Sequence, residues 1–186
     1  MYHISCEKID DVWFFIALNE ANQVVLCSFS TKSHREAIST ILNDLPMGSE
    51  VKETHPDDYA STLIYALHHL YEGKKLKRNF PLSFENVSSF NRKALEVTMK
   101  VPRGKVTSYG EIAKKLGNTK AARAVGRAEA KNPFPLLIPC HRVIKSTLDL
   151  GEYGGGKEVK RMLLEREGIV FIGDRVSKKN FWIFKS

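Results

Sequence analysis

The opening of the chain is organised by three stretches crowded with β-branched and aromatic residues, at 4–9, 12–18 and 23–30, separated by Asp10-Asp11 and by Asn19 to Asn22. Such runs between turn-forming residues predict short antiparallel strands. The spacing becomes helical over 31–44 and again over 57–71. The second of these sets Leu63, Ala66, Leu67 and Leu70 on one face, with Asp57 and Asp58 near its start, where acids suit the helix dipole. The pattern predicts an α/β domain over 1–80, a small antiparallel sheet with helices. Residues 73–80, with Lys74, Lys75, Lys77 and Arg78, read as a solvated charge run leading into a linker at 81–87.

A second domain, 88–186, is patterned mainly for helices. Ser88 or Ser89 caps a helix to about Lys100 on which Leu95 and Met99 recur at helical spacing. Val101-Pro102-Arg103-Gly104 ends it, and Lys105-Val106-Thr107 is extended. Ser108 and Glu111 then have the spacing of a capping box, opening a helix that reaches Leu116. Gly117-Asn118 breaks that helix, Thr119 caps another over 120–130, and Asn132-Pro133 stops it. Helix, glycine-containing turn and helix after a strand predict a winged helix-turn-helix whose later helix reads DNA. At about 100° per residue, Lys120, Arg123, Arg127 and Lys131 fall within roughly an 80° arc, and Ala121, Val125 and Ala128 fall on a separate apolar one. An amphipathic helix over 157–167, with Val159, Met162 and Leu163 on its inner face, closes the domain before Gly168.

Charge sharpens this division. Residues 1–86 carry 8 Lys and Arg against 12 Asp and Glu, whereas residues 87–186 carry 21 against 9. The basic half is expected to meet a polyanion, with binding that weakens steeply with salt. The 186 residues, 42% of them hydrophobic, suffice for packed cores. The longest apolar stretch, Val12–Leu18, is far too short to span a bilayer. With no charged-then-apolar leader, the expected location is the cytoplasm, or the nucleus in a eukaryote. Three cysteines supply no disulfide framework.

The chemistry is concentrated in one string. After an apolar approach from Phe134 to Ile138, broken by Pro135, come Pro139, Cys140, His141, Arg142 and Val143. A thiol beside an imidazole and a guanidinium has electropositive surroundings of the kind that favour thiolate, so Cys140 reads as a nucleophile, with a small core residue as its plain alternative.

The string Pro139-Cys140-His141-Arg142-Val143, with Asn132-Pro133 upstream, resembles the active-site signature of the O6-alkylguanine-DNA alkyltransferases, also called methylated-DNA–protein-cysteine methyltransferases. The resemblance covers about the last hundred residues well and the first eighty only loosely. It implies a ribonuclease H-like first domain, a winged helix-turn-helix second domain, and a monomer that binds duplex DNA carrying O6-alkylguanine through the minor groove. It further implies that the base is flipped and its alkyl group passed irreversibly to Cys140, once per molecule and without a required cofactor. In the family a His, oriented by a Glu, withdraws the thiol proton through a water; His141 and Glu167 match them. Asn132 would tie the turn holding Cys140, and Arg142 would brace the motif. Tyr109 matches a Tyr that crowds the flipped nucleotide's phosphate, although an aromatic plugging a helix junction is its plain alternative. Arg123 matches the Arg that fills the vacated stack, with Lys120 and Arg127 on the same basic face. Tyr153, Gly154 and Val143 would line the pocket for the base.

The chain also departs from the family pattern. Gly154 stands where Ser is usual, Arg127 where Gly is frequent, and Glu129 where an apolar residue is common. Some members bind a structural zinc in the first domain. Here Cys6 and Cys27, on strands expected side by side, and His34 supply three candidate ligands, one fewer than a closed site needs. His55, His68 and His69 read as ordinary helix or loop residues. The tail from 169, with Phe171, Phe181, Trp182 and Phe184 among basic residues, is expected to pack back on the protein rather than stack on single-stranded DNA. Two other classes compete: a winged-helix binder of alkylated DNA without chemistry, which gives no reason for the cysteine motif, and a cysteine hydrolase, which gives none for the basic helix.

Overall fold

The computed structural model describes residues 1–76 and 78–184, apart from the side chains of Glu36, Ala37 and Thr40. Lys77 of the expected charge run and the last two residues of the tail lie outside the described residues. The chain divides into two compact units, one of residues 1–70, 76–86 and 133–135, the other of 71–75, 87–132 and 136–186.

The first unit is built on a four-stranded sheet. Strands β1 (Tyr2–Ile9), β2 (Val12–Leu18) and β3 (Val24–Ser30) form an antiparallel meander, as their patterning predicts. Asp10 and Asn22 adopt positive φ in the turns, a conformation that Asp and Asn tolerate better than most residues. The sheet is not purely antiparallel: β4 (Val51–Glu53) pairs in parallel with β1, giving the order β3-β2-β1-β4. That strand is three residues long and exposed, so it has no apolar signature. Helix α1 (His34–Asp44) sends Ile41 into the cluster around Ile4, Phe15 and Val25. Phe14, on the opposite face of β2, meets His68 of α2 (Asp58–Tyr71). With both sheet faces covered, β2 is an apolar run rather than an alternating one. The segment at 81–83, expected as linker, runs along β3: Val24 N–H donates to Pro81 O and Ser83 N–H to Val24 O, each at 2.8 Å.

Cys6 and Cys27 do not lie on neighbouring strands, because β2 runs between β1 and β3. Cys27 is buried, its thiol donating to Pro135 O at 3.4 Å. Among the described residues no three His, Cys, Asp or Glu side chains are grouped to hold a metal ion. No described helix is long and apolar enough to cross a membrane.

The second unit starts with α3 (Ser89–Thr98), capped by Ser88, whose Oγ accepts the Asn91 N–H. Met99 falls just beyond it and is exposed rather than part of the inner face. Strand β5 (Thr107–Ser108) leads into α4 (Tyr109–Lys115), where Ser108 Oγ accepts the Glu111 N–H at 3.1 Å. After Gly117, at φ +77°, Asn118 rather than Thr119 is the capping residue. Its side chain accepts the Lys120 N–H, and a 3-10 turn at Thr119–Ala121 precedes α5 (Ala122–Ala130). Asn is the stronger cap, and it follows directly on the glycine that ends the preceding helix. Ala121, Val125 and Ala128 pack with Ala94, Val97, Ile112 and Val143 in one core.

Strand β6 (Val143–Ile144) pairs in parallel with β5, Thr107 facing Val143 and Ser108 facing Ile144. Helix α6 (Lys157–Arg166) buries Lys160, Leu163 and Leu164, whereas Val159 and Met162 are half-buried, so the inner face is rotated from the expected one. A hairpin of β7 (Phe171–Ile172) and β8 (Arg175–Val176) follows. The tail does pack back: Val106 N–H donates to Asn180 O, Trp182 N–H to Val106 O, and Phe181 joins the cluster of Val106, Ile144 and Leu164.

Candidate active site

Cys140 opens a single 3-10 turn, Cys140–Arg142, between Pro139 and β6. Two bonds fix its entry: the Ile138 carbonyl accepts the Cys140 N–H at 2.8 Å and Asn132 Nδ2 at 3.0 Å. Tyr109, which opens α4 directly after β5, lies near enough to Cys140 for the two groups to oppose each other's ionisation.

His141 and Arg142 are both engaged by Glu167, the residue that closes α6. Arg142 Nε donates to Glu167 Oε2 at 2.8 Å and Nη2 to Oε1 at 2.7 Å, while Nη1 donates to Val101 O at 2.7 Å. Burial pushes the Glu167 carboxyl up, but the His141 and Arg142 hydrogen bonds and charges overcome it and hold the pKa at about 2. His141 is buried and titrates below the usual imidazole range, burial outweighing the help of Glu167. A carboxylate only accepts, so the 3.1 Å contact between His141 Nε2 and Glu167 Oε1 requires the proton on Nε2. Nδ1 is left as the basic nitrogen, buried and without a hydrogen-bond partner among the described residues.

The expected thiolate-favouring surroundings of Cys140 are not what the fold builds. The side chain is 6% exposed, and burial, reinforced by Glu129, pushes the thiol up to about 12 despite Asn132 and Lys160. The Arg142 charge is committed to Glu167 and the imidazole is neutral, so adjacency in sequence does not become electropositive contact. The resting sulfur is a protonated thiol.

Lys160, absent from the sequence reading, is 1% exposed and donates to Val143 O at 2.7 Å and Glu152 O at 3.4 Å. Its ammonium sits 5.9 Å from the Tyr109 ring centroid. Burial pulls it down to about 8. Burial likewise pushes the Tyr109 phenol up to about 12, with Glu129, Cys140 and Glu152 adding to the effect, so it holds its proton throughout the neutral range. Glu129, the other buried charge-bearing residue that patterning missed, accepts from the Thr98 hydroxyl at 2.7 Å. The available signal was register: Lys160 is three and four residues before Leu163 and Leu164, and Glu129 is four after Val125.

Around this cluster, Gly151 has φ +73°, and a Cβ there would lie 3.0 Å from Tyr109 Oη. Tyr153 is half-buried, Gly154 is exposed, and a Cβ on Gly154 would meet nothing within 4 Å. Val143 differs from its expected place, because its side chain is fully buried in the core and only its carbonyl is held by Lys160. Arg123, Arg127 and Lys131 are exposed, and Lys120, in the 3-10 turn, is exposed with them.

A family model described as "6-O-methylguanine DNA methyltransferase, DNA binding domain" matches residues 89–169. The methylated-DNA–protein-cysteine methyltransferase of Thermococcus sibiricus is 48% identical over 89 residues, 47% of this chain, and the match spans about half that protein's length, 49%. The protein of the same name from Thermococcus gammatolerans is 34% identical over 163 residues, 86% of this chain and 90% of its own length. A crystal structure of Mycobacterium tuberculosis OGT in complex with DNA superposes with a TM-score of 0.69 at 27% identity, covering 89% of this chain and 92% of that one. A likeness that extends over nine-tenths of a relative's length is more than a shared DNA-binding module: the chain belongs to the methylated-DNA–protein-cysteine methyltransferase family.

Proposed function

We propose that this protein repairs O6-alkylguanine in duplex DNA by moving the alkyl group to its own Cys140, each molecule acting once. The observation that carries this is that Cys140 and His141 share one 3-10 turn while Glu167, at the C-terminal end of α6, holds His141 in the tautomer that leaves Nδ1 basic. Family membership and the DNA complex of the M. tuberculosis relative support the substrate. Residues 1–80 are read as a ribonuclease H-like domain, 81–87 as a linker and 88–186 as the DNA-binding and transfer domain, in which α4 and α5 act as a winged helix-turn-helix.

In this scheme α5 docks in the minor groove and the damaged nucleotide leaves the stack, a step costing a few kcal/mol. Arg123 occupies the vacancy, and Lys120 and Arg127 hold phosphates. Tyr109, protonated, donates a hydrogen bond to the base; Tyr153 and the Gly154 amide bound the pocket. His141 Nδ1 receives the Cys140 proton by way of a water. The sulfur forms a bond to the alkyl carbon as the bond from that carbon to O6 breaks, and guanine leaves as its anion and is then protonated. The product is a thioether, which nothing in the site is equipped to cleave. The chemistry described needs no cofactor, and no zinc is assigned to Cys6 and Cys27.

The burial of the Cys140 side chain, which holds the thiol protonated, is the feature that suits a binder of alkylated DNA without chemistry. One measurement separates the two. Incubated with duplex DNA carrying O6-methylguanine and weighed intact, the protein gains one methyl group per chain, and Cys140→Ser gains none. Tight binding with no gain in mass would establish the binder instead.

A further inference from the structure

Glu129 is the inner residue of α5 to which the scheme above gives no task. Its side chain is 7% exposed; Oε1 accepts from Thr98, and Oε2 is buried without a hydrogen-bond partner among the described residues. It is tied to the nucleophile through the backbone. The Glu129 carbonyl accepts the Asn132 N–H at 3.2 Å, and Asn132 Nδ2 donates to the Ile138 carbonyl that also receives the Cys140 N–H. The titratable groups around it come from three further elements: Tyr109 from α4, Cys140 from the 3-10 turn and Lys160 from α6. The α3 partner, Thr98, does not titrate in the accessible range.

We propose that the proton on Glu129 controls the ionisation of Cys140: as a neutral acid Glu129 lets the thiol ionise, and as a carboxylate it opposes a second negative charge in the same buried site. Glu129 is thus a positioning residue for the reaction, acting through the sulfur. Two like charges out of water cannot both form cheaply. Burial, only partly offset by Thr98 and Lys160, raises the carboxyl to about 8, so the acid form prevails at neutral pH. Where the family commonly has an apolar residue, this chain has a group that is neutral when the reaction runs and charged when the solution turns alkaline. Lys160 loses its proton over the same range and removes a favourable charge from beside the sulfur, which acts in the same direction.

A thiol that ionises near 12 should react about tenfold faster for each unit of rising pH through the neutral range, because the thiolate is the nucleophile. In the wild-type protein that climb should stall as Glu129 ionises. The biological consequence rests on the alkyl-transfer reading, but the ionisation does not, so two readouts are needed. Wild type, Glu129→Gln and Glu129→Met are compared between about pH 6.5 and about pH 9.5. One readout is single-turnover methylation by O6-methylguanine duplex DNA, the other alkylation of the Cys140 peptide by iodoacetamide.

Both variants lack the ionising group and keep Lys160, so the ratio of variant to wild-type rate isolates Glu129. It is expected to grow by about threefold or more across the range in both readouts. A growing ratio with iodoacetamide but no methylation by DNA in any of the three proteins would uphold the control of the thiol and reject the repair reading. A ratio that stays flat with iodoacetamide, whether Gln or Met replaces Glu129, overturns the proposal.

Discussion

Arg142 grips Glu167 side-on, Nε to Oε2 at 2.8 Å and Nη2 to Oε1 at 2.7 Å, across 25 residues of sequence. The carboxylate would otherwise sit buried at a helix C-terminus, the end that repels negative charge. Arg142→Ala leaves that charge uncompensated and removes a donor from Val101 O. The expected cost is about 3–5 kcal/mol, measured by urea unfolding at neutral pH.

The same pair sets the acid limb of stability. Glu167 ionises at about 2 in the fold, below the unfolded value near 4.3. The native state therefore binds fewer protons between those values, and the contribution, on the order of 3 kcal/mol, is present above about pH 4.3 and lost as pH falls through about 2. Glu167→Gln should lose this part of the acid dependence in a stability-against-pH series. A wild-type and variant pair with parallel curves below pH 5 would remove the assignment.

Two glycines three positions apart should respond oppositely to side chains. Gly151→Ala puts a Cβ on a positive φ and 3.0 Å from Tyr109 Oη. About 1–2 kcal/mol of destabilisation is expected, with slower methylation because Tyr109 must shift. Gly154→Ser meets open space and an ordinary φ, so the hydroxyl common in the family should be accepted within about 0.5 kcal/mol. Paired melting curves and single-turnover rates check both.

What was legible in the sequence was whatever depends on neighbours within a few residues. The strands β1 to β3, the turns at Asp10 and Asn22, the Ser88 and Ser108 caps and the break at Gly117 are all local, and all are found. The strand β4 escaped because its pairing with β1 is chosen by the sheet edge, not by its own three polar-leaning residues. Charge states escaped for a related reason. A lysine or glutamate on a helix reads as solvated, yet Lys160 and Glu129 are enclosed by partners 17 and 31 residues away. The thiolate expectation at Cys140 failed because burial holds the thiol protonated, which neighbours in sequence do not reveal, and because the charge of Arg142, two residues on, is directed at Glu167 at the end of α6.

Glu129 also gives the alkaline limb a sign. Its carboxyl ionises at about 8 in the fold, well above the unfolded value near 4.3. Its contribution is complete below about pH 4.3 and is lost as pH rises through about 8. Lys160 acts in the reverse sense, since its lowered value makes the fold gain stability between about 8 and about 10.5. Glu129→Gln, which keeps an acceptor for Thr98, should therefore be more stable relative to wild type at pH 8 than at pH 5. Chemical denaturation at the two values is the check, and an unchanged difference would argue that the carboxyl is not held protonated.

Arg123 tests whether α5 holds the duplex open. It is exposed on the face opposite Val125 and Ala128, so Arg123→Ala should leave the fold within about 0.5 kcal/mol of wild type. If its side chain fills the stack vacated by the flipped base, the variant loses its main compensation for an unstacking cost of a few kcal/mol. Methylation by duplex DNA should slow by about tenfold or more. Reaction with free O6-benzylguanine, which needs no flipping, should change little, because nothing must replace a base that was never stacked. Arg127→Ala, on the same face, serves as the comparison: if it contributes only charge, its effect on duplex repair should fade as salt rises, whereas the Arg123 defect persists. Equal losses on free base and duplex would take the stack-filling role away from Arg123.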